Sequence, residues 1–233
     1  MSRGLFVTGT DTGVGKTVVA AALMARLRGG LGDPSRSWNE VRYWKPIQTG
    51  IEEHDDTRTV RQLARCREDE ILDQGVRLRR PLSPHLAARL AGQTLSLDVA
   101  ALPMVQALDA QPHQVCWIVE GAGGVLVPLN DSALMVDLMA RLGLPVVIVS
   151  RSGLGTINHT LLSLESLRAR GTIVAGVVMN GAPDADNRRA IERYGQVAVL
   201  GELPPLDPLS PDRIADWAAS GLDVERRLQE VLA

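Results

Sequence analysis

The sequence is poor in aromatic residues and in cysteine. Phe, Trp and Tyr together make up only 3% of the 233 residues, so Val, Leu, Ile and Ala must supply most of the core. The two cysteines, Cys66 and Cys116, form neither a CxxC pair nor a zinc-binding pattern. We expect both to be buried thiols in a reducing compartment.

The sequence also lacks a strong charge and a long hydrophobic run. The formal net charge is −2, which gives no basic field to hold nucleic acid nonspecifically. The apolar run at 5–7 is too short for a signal peptide, and the stretches 146–149 and 173–179 fall short of the roughly 18 residues of a membrane span. We therefore expect a cytoplasmic protein that binds neither nucleic acid nor membrane.

The four histidines show no paired metal-ligand spacing, and no Ser/His/Asp arrangement is readable in the chain. We therefore expect neither a zinc site nor a hydrolytic nucleophile.

Apolar segments alternate with helical patterns along the chain. Segments that are apolar throughout and alternate with helices are typical of a parallel sheet covered on both faces. We expect a single α/β domain over 1–233, with a mostly parallel sheet, helices on both faces and a P-loop NTPase-like fold. Surface loops are expected at 29–37, which is rich in Gly, Pro and Ser, and at 204–211, which is rich in Pro. The predicted strands are 4–10, 41–46, 115–121, 145–150, 172–180 and 197–200. The predicted helices are 16–29, 56–65, 83–92, 98–109, 133–143, 156–171, 186–194 and 222–232. We expect Ser83 to cap the helix at 83–92 and Gly143 to end the helix at 133–143.

The stretch "GTDTGVGKT" nearly matches a phosphate-binding loop. The usual loop has four residues between its first glycine and Gly-Lys-Ser/Thr, whereas here five residues separate Gly9 from Gly15. The stretch follows the first predicted strand and opens the first predicted helix, which is the context such a loop requires. Gly13 and Gly15 allow the backbone N–H groups to curl around phosphate oxygens. Lys16 is placed to reach the β- and γ-phosphates, and the Thr17 hydroxyl to bind Mg²⁺.

Acidic residues near the ends of other strands predict a magnesium site beside this loop. Glu120 ends the strand "CWIVE" and is followed at once by "GAGG", which lets a ligand approach the backbone closely. Asp56 follows the second strand, and Asp55 competes with it, since one of the two is expected to cap the next helix. Thr17, Asp56 and Glu120 would supply the hard oxygen ligands that Mg²⁺ prefers.

Lys45 is a second candidate cation. It ends a predicted strand just before Pro46, where it would lie near the phosphate loop. A surface lysine is the plain alternative. Beside the loop, its ammonium would stabilise negative charge during a phosphoryl transfer.

Four stretches in this order, "VTGTDTGVGKT", "KPIQTG", "VEGAGG" and "GELPPL", resemble the dethiobiotin synthetase family of biotin biosynthesis. The resemblance covers nearly the whole chain, and the five-residue spacing of the loop is a mark of that family. It implies an ATP-dependent reaction in which CO₂ adds to one amine of 7,8-diaminopelargonic acid to give a carbamate. The carbamate attacks the γ-phosphate of ATP, and the second amine then closes the ureido ring of dethiobiotin while phosphate leaves.

The resemblance also implies roles for individual residues. Lys16 and Lys45 would contact the transferring phosphoryl and the carbamate, Thr12 would line the same space, and Thr49 would lie near the substrate. Asn180 would read the adenine edge, and Mg²⁺ would be held by Thr17, Asp56 and Glu120. The implied nucleotide-binding set is Gly13, Val14, Gly15, Lys16, Thr17, Val18, Asp56, Glu120, Gly121, Ala122, Gly123, Asn180, Gly181, Leu203, Pro204 and Pro205.

The family further implies a homodimer with its active sites at the subunit interface. The partner chain would bind the substrate carboxylate at the start of a helix, where free N–H groups and the helix dipole favour an anion. An ordinary strand–helix loop capped by Thr156 or Ser152 is the alternative. The segment concerned comprises Gly153, Leu154, Gly155, Thr156 and Asn158.

The sequence argues against two other functions. Partition and septum-site ATPases share the fold group, but they carry a lysine early in the loop where this chain has Asp11. A cobyrinate-type amidotransferase synthetase would need a glutamine-hydrolysing domain for which 233 residues leave no room. Some family members have an acid in place of Gly13, which leaves the nucleotide preference of this chain open. Some have a serine in place of Thr49, which keeps the hydroxyl. The stretch 29–40 is longer than the family pattern predicts.

Overall fold

The computed structural model describes residues 4–28, 40–110 and 115–232. Strands and helices alternate along most of these ranges, and a short 3₁₀ helix spans Glu68–Glu70. The strands are β1 (Gly4–Gly9), β2 (Glu40–Trp44), β3 (Ile47–Thr49), β4 (Ile71–Leu72), β5 (Val76–Leu78), β6 (Val115–Gly124), β7 (Val146–Arg151), β8 (Val174–Asn180) and β9 (Val199–Leu203). The helices are α1 (Lys16–Arg28), α2 (Asp56–Leu63), α3 (Pro84–Leu90), α4 (Leu97–Ala110), α5 (Met135–Leu142), α6 (Thr156–Arg168), α7 (Ala185–Gly195), α8 (Pro211–Ser220) and α9 (Arg227–Leu232).

Seven strands form one sheet in the order β4-β2-β6-β1-β7-β8-β9, and every pairing between neighbours is parallel. Strand β1 lies at the centre, between β6 and β7. Parallel strands align their carboxyl ends, so the loops after β1, β2, β6, β7 and β8 all open at one edge of the sheet. The expected parallel sheet is confirmed.

Alternate side chains of the sheet enter two hydrophobic clusters, one on each face. Leu5 and Val7 of β1 pack on one face beneath α1, α2, α8 and α9, whereas Phe6 packs on the other beneath α3 to α7. This confirms that helices cover both faces. No helix in the described ranges combines the length and the apolar character needed to cross a bilayer.

The C-terminal region differs from the prediction. The predicted loop over 204–211 is confirmed as far as Ser210, but helix α8 (Pro211–Ser220) was not predicted. The last helix, expected near 222–232, is the shorter α9, which begins only at Arg227. The Ser210 hydroxyl accepts a hydrogen bond from the Arg213 N–H at 3.4 Å, with Pro211 in the first helical turn. Asp223 and Arg226 have φ angles of 51° and 58°, which are not helical and delay the start of α9.

Smaller expectations had mixed outcomes. Gly143 ends α5 with φ 63°, as predicted for a C-terminal glycine. Ser83 stands at the start of α3, but its side chain makes no capping hydrogen bond. Cys116 is buried as expected, whereas Cys66 is half-buried. The predicted loop at 29–37, and 29–39 of the long stretch 29–40, lie outside the described residues.

Two features of the sheet were not predicted. The short strands β3 and β5 pair in parallel as a separate two-stranded ladder after β2.

Strand β9 lies at one edge of the main sheet, and three of its carbonyl groups that face away from β8 accept hydrogen bonds from other parts of the chain. Val199 O accepts from Arg188 Nη2 at 3.3 Å, Leu200 O from the Asp223 N–H at 2.7 Å, and Glu202 O from Trp217 Nε1 at 3.1 Å.

Candidate active site

The glycine-rich loop joins β1 to α1, as the sequence predicts. Gly13 and Gly15 have φ angles of 71° and 97°, which L side chains rarely adopt. A Cβ atom at Gly15 would lie 2.3 Å from Asn180 Nδ2, so no larger residue fits without displacing that side chain. The Asn180 amide donates to Val14 O at 2.9 Å and ties the end of β8 to the loop.

Lys16 is buried at the start of α1, and its ammonium turns back into the loop. Its Nζ donates to Asp11 O at 3.0 Å. Burial lowers the pKa of Lys16 to about 8, against the opposing effect of the Glu120 carboxylate, and the nearby Lys45 ammonium lowers it further. An anion entering the loop would restore the preference for the charged form.

Glu120 is the centre of a buried polar cluster and is fully shielded from solvent. Its Oε1 accepts hydrogen bonds from Thr17 Oγ1 at 2.9 Å and from Lys45 Nζ at 2.8 Å. Its Oε2 accepts from Tyr43 OH at 2.8 Å. Both carboxylate oxygens therefore have partners, which is what a charge in the protein interior requires.

Lys45 joins the two acids of the cluster. Its Nζ lies 2.8 Å from Asp56 Oδ2 and 2.8 Å from Glu120 Oε1, and it donates to Gly121 O at 3.3 Å. The residue is only 2% exposed, so the alternative of a surface lysine is wrong. Burial disfavours its charge, but Glu120 and Asp56 outweigh burial and raise the pKa of Lys45.

The structure separates the roles of the two adjacent aspartates. Asp55 caps α2, because its side chain accepts from the Arg58 N–H at 2.9 Å. Asp56 turns toward Lys45 instead. Burial acts to raise the pKa of Asp56, but Lys45 and a hydrogen bond from Thr17 outweigh it and hold that pKa below its ordinary value. Of the pair, Asp56 belongs to the site.

Tyr43 is the member of the cluster that the sequence analysis missed. It lies opposite Ile118 in the pairing of β2 with β6, and Glu120 is two residues further along the same face. Burial and the Glu120 carboxylate raise the pKa of Tyr43 well above its ordinary value, so the phenol keeps its proton. Its position two residues before Lys45 places both side chains on one face of an extended chain, but this local pattern does not specify the partner of Tyr43.

The residues expected around the adenine lie together at the ends of β8 and β9. The Gly181 N–H donates to Leu203 O at 2.9 Å, next to Asn180. Leu203 is buried, Pro204 is half-buried and Pro205 is exposed. Because Asn180 also contacts the phosphate loop, this corner of the sheet adjoins the loop as the adenine assignment requires.

The remaining predicted residues occupy the same edge of the sheet. Thr12 is exposed in the loop, and its carbonyl accepts from Arg151 Nη2 at 3.4 Å. Thr49 ends β3 and is half-buried, and Val18 is half-buried in the first turn of α1. The last four residues of β6, which directly follow Glu120, are Gly121, Ala122, Gly123 and Gly124.

The predicted carboxylate segment lies at the start of α6. Gly155 is the N-cap residue with φ 91°, and no side chain caps the helix, so neither Thr156 nor Ser152 plays that role. Thr156 is buried and its hydroxyl has no hydrogen-bond partner within the described chain. Leu154 and Asn158 are exposed. No hydrogen bond among the described residues joins this segment to Lys16 or Lys45 of the same chain.

A separate groove of about 790 Å³ runs along the outer side of β9. Both arginines that line it are paired with acids of the same groove, and Arg227 Nη2 lies 3.1 Å from Glu225 Oε2. Arg188 Nε donates to Glu192 Oε1 at 3.3 Å, and Arg188 Nη1 lies 3.6 Å from Glu202 Oε2. It lacks the open glycine-rich backbone and the free cation that would bind a phosphate, so the phosphate loop remains the candidate site.

The donor set beside the loop fits a magnesium ion. Within the described ranges, no group of three or more His, Cys, Asp or Glu side chains is arranged to hold a metal, so a site made only of such ligands is excluded there. The cluster offers two carboxylates, Asp56 and Glu120, and the Thr17 hydroxyl. Mg²⁺ is commonly bound by one or two carboxylates together with water and the phosphates of a substrate.

Comparison with known proteins identifies close relatives of the chain. A family model described as an AAA domain matches residues 3–213. The chain is 43% identical to the ATP-dependent dethiobiotin synthetase BioD of Nitrobacter hamburgensis, over 97% of each chain. It is 47% identical to the protein of the same name in Paramagnetospirillum magneticum, over 91% of this chain and 93% of the relative. It also matches 42% of the length of the biotin biosynthesis bifunctional protein BioCD of Bordetella avium, at 46% identity over 93% of this chain.

Two solved structures share the fold at low sequence identity. The MinC:MinD cell division protein complex of Aquifex aeolicus aligns over 98% of this chain and 96% of its own, with a TM-score of 0.57 and 13% identity. A ParA family ATPase of Chlorobium tepidum TLS aligns over 93% of this chain and 98% of its own, with a TM-score of 0.51 and 12% identity. These likenesses confirm the P-loop fold and carry no information on the reaction.

Proposed function

Because the chain belongs to the ATP-dependent dethiobiotin synthetase family, a family of ligases, we propose that it closes the ureido ring of dethiobiotin from 7,8-diaminopelargonic acid and CO₂. ATP is the co-substrate and is converted to ADP and phosphate. The observation that carries the proposal is the buried Lys45, which joins Asp56 to Glu120 beside a phosphate loop that presents Lys16.

The proposed reaction needs positioning and charge stabilisation and no covalent nucleophile. One amine of the diamine attacks CO₂ and loses a proton, giving a carbamate. A carbamate oxygen attacks the γ-phosphorus of ATP, and ADP leaves. The second amine attacks the carbonyl carbon of the resulting carbamic–phosphoric anhydride, and phosphate leaves as the ring closes.

The two lysines carry the charge stabilisation in this proposal. Lys16, at the start of α1, would bind the β- and γ-phosphate oxygens, and Lys45 would stabilise the negative charge of the carbamate and the transferring phosphoryl. Thr12 and Thr49 would line the space in which the diamine lies. The buried setting strengthens every one of these charge interactions relative to water.

We propose Thr17, Asp56 and Glu120 as the magnesium ligands. The support is the convergence of three hard oxygen donors, with Thr17 Oγ1 already 2.9 Å from Glu120 Oε1. Mg²⁺, when bound, would neutralise part of the charge on the phosphates. Without the metal, three hydrogen bonds hold the Glu120 carboxylate in place, so metal binding would need no large movement of this side chain.

The adenine would lie against the ends of β8 and β9. An asparagine amide has two N–H donors and an acceptor oxygen; one N–H of Asn180 donates to Val14 O, which leaves one donor and one acceptor for the adenine edge. Asn180 stands there with Gly181 and the Leu203–Pro204–Pro205 turn, next to the loop that would hold the phosphates.

We propose a homodimer in which one chain binds the substrate carboxylate for the other. Support comes from the start of α6, where Gly153 and Gly155 flank an uncapped helix N-terminus that favours an anion. The fully exposed Leu154 beside it suits burial against a second chain. The proposal also includes a single domain over 1–233 and a cytoplasmic location.

Phosphate release and product analysis test the function. The purified protein is incubated with ATP, Mg²⁺ and bicarbonate, with and without 7,8-diaminopelargonic acid, and dethiobiotin is identified by mass spectrometry. Phosphate and dethiobiotin should appear in equal amounts and only with the diamine. ATP hydrolysis that ignores the diamine but responds to DNA or another protein would instead indicate a partition-type switch.

A further inference from the structure

Tyr43 sits outside the set of residues expected to touch nucleotide, metal or substrate, yet it makes one of the three hydrogen bonds to Glu120. Its hydroxyl donates to Oε2 at 2.8 Å, and the side chain is fully buried on β2. Burying a phenol hydroxyl is unfavourable unless it finds a partner, so this hydrogen bond determines where the ring can lie.

The donors around Glu120 divide between its two oxygens. Oε1 faces Thr17 and Lys45, which belong to the loop and the ion cluster, whereas Oε2 faces only Tyr43 among the hydrogen bonds of the described chain. Because the two oxygens of an ionised carboxylate are equivalent, a half-turn about its last bond changes nothing, whereas a smaller rotation would move both oxygens away from their donors. The phenol therefore holds the plane of the carboxylate in which one oxygen faces Thr17.

We propose that Tyr43 is a positioning residue that holds the plane of the Glu120 carboxylate, so that one oxygen faces the magnesium site while the other accepts from the phenol. The inference rests on the proposed role of Glu120 as a metal ligand. Hydrogen-bonded partners of metal ligands orient them in this way, and their loss typically weakens metal binding by about 10- to 100-fold.

Sheet geometry explains how Tyr43 reaches this position. Tyr43 pairs with Ile118, and Glu120 lies two residues, or about 7 Å, further along β6 on the same face. The length of a tyrosine ring and hydroxyl spans that offset, whereas a phenylalanine there would fill the space and leave Oε2 without its donor.

Binding of Mn²⁺ to the ADP-bound protein, followed by electron paramagnetic resonance, tests the proposal without the diamine. Tyr43→Phe should weaken Mn²⁺ binding by about 10-fold and leave metal-free ADP binding unchanged. Tyr194→Phe, at the exposed second tyrosine, is the matched control and should change neither. Val41→Ala, which makes a cavity in the same strand, measures what destabilisation alone does to Mn²⁺ affinity.

A double-mutant cycle separates positioning from packing. In a Glu120→Gln background, Tyr43→Phe should weaken Mn²⁺ binding no further, because the ligand it positions is already altered. Wild-type Mn²⁺ affinity in Tyr43→Phe, or an equal loss in Val41→Ala, would overturn the proposal. A wild-type protein that binds Mn²⁺ and ADP but makes no dethiobiotin would instead refute the proposed function and leave Tyr43 in its role.

Discussion

Lys45 is the residue whose burial most constrains the chemistry, since it is the shared cation of Asp56 and Glu120. We expect Lys45→Gln to lower single-turnover product formation by roughly 10²-fold, the size typical of one charge-stabilising group. Nucleotide binding measured by fluorescence titration should persist. Urea unfolding should show a loss of about 3 kcal/mol, because two acids lose their buried partner. Normal turnover in this variant would limit Lys45 to a structural role.

The lowered pKa of Lys16 leads us to expect that the protein takes up protons when it binds nucleotide. Its pKa of about 8 in the free protein means that the ammonium is partly neutral above pH 8, and bound phosphates would raise that pKa again. Binding of ATP near pH 8.5 should therefore take up a fraction of a proton, which declines as the pH falls below 8. ATP affinity should fall as the pH rises through 8.

Calorimetry in buffers of different ionisation enthalpy measures that uptake. Lys16→Arg should abolish it, since a guanidinium stays charged throughout this range. Equal binding enthalpies in all buffers at pH 8.5 for the wild type would contradict the prediction.

Asn180 has two partners to satisfy, the loop carbonyl of Val14 and the proposed adenine. We expect Asn180→Ala to weaken ATP binding by on the order of 1–3 kcal/mol, with the rate at saturating ATP nearly intact. Comparing ATP with inosine triphosphate separates the two roles. If Asn180 reads the base, the variant should lose the preference of the protein for ATP over inosine triphosphate. If the substitution only damages the loop, the binding of both nucleotides should weaken equally.

At the residue scale, the sequence predicted the loop residues and the ion cluster of the site, but not Tyr43, which donates a hydrogen bond to Glu120. Lys16, Lys45, Thr17 and Glu120 follow from a loop motif and from strand ends, because parallel strands bring those ends together. Tyr43 could not be assigned, since its partner depends on the register of β2 against β6, which no local pattern specifies.

At the scale of the element, α2 offers a matched pair of adjacent acids. Asp55→Ala should lower the stability of the protein by about 1 kcal/mol through loss of the cap, with the Mg²⁺ requirement for turnover unchanged. Asp56→Asn should raise the Mg²⁺ concentration needed for half-maximal turnover by about 10-fold, with the cap intact. Chemical denaturation and Mg²⁺ titrations check both variants. Interchanged phenotypes would mean that the two acids are wrongly assigned.

Element prediction succeeded where the pattern was local. The strands β1, β7 and β8 are short, mostly apolar runs, and Gly143 was predicted directly as the end of α5. Helix α8 was missed because the prolines before it suggested a loop, although Ser210 followed by Pro211 is itself a helix-start signal. The β3–β5 ladder was missed because its partners are far apart in sequence and each is only three residues long.

At the scale of the whole molecule, the proposed sharing of the active site between two chains predicts complementation between inactive variants. Lys45→Gln would disable the chemistry of its own chain. Asn158→Glu, at an exposed position in the first turn of α6, would repel the substrate carboxylate from the site of the partner. After dissociation and random reassociation, about one quarter of all sites should be intact by two-fold symmetry, so activity should return.

Controls for this experiment are each variant dissociated and reassociated alone, which should stay inactive. If mixing restores nothing while light scattering shows dimers, each site is built within one chain. Thr156 is avoided as the mutated position because it is buried, and a glutamate there would disturb the fold.

The covered margin of β9 limits how two such chains can associate. Open strand edges invite another chain to add a strand and extend the sheet, a route to both dimers and aggregates. Here Arg188, Trp217 and the backbone of Asp223 already fill the outward acceptors of β9, and β4 at the opposite margin is only two residues long. Within the described residues, neither margin of the seven-stranded sheet offers a ladder to continue. We therefore expect a dimer of this chain to form through side-chain packing between surfaces, since the folded chain presents no ready template for strand exchange at these margins.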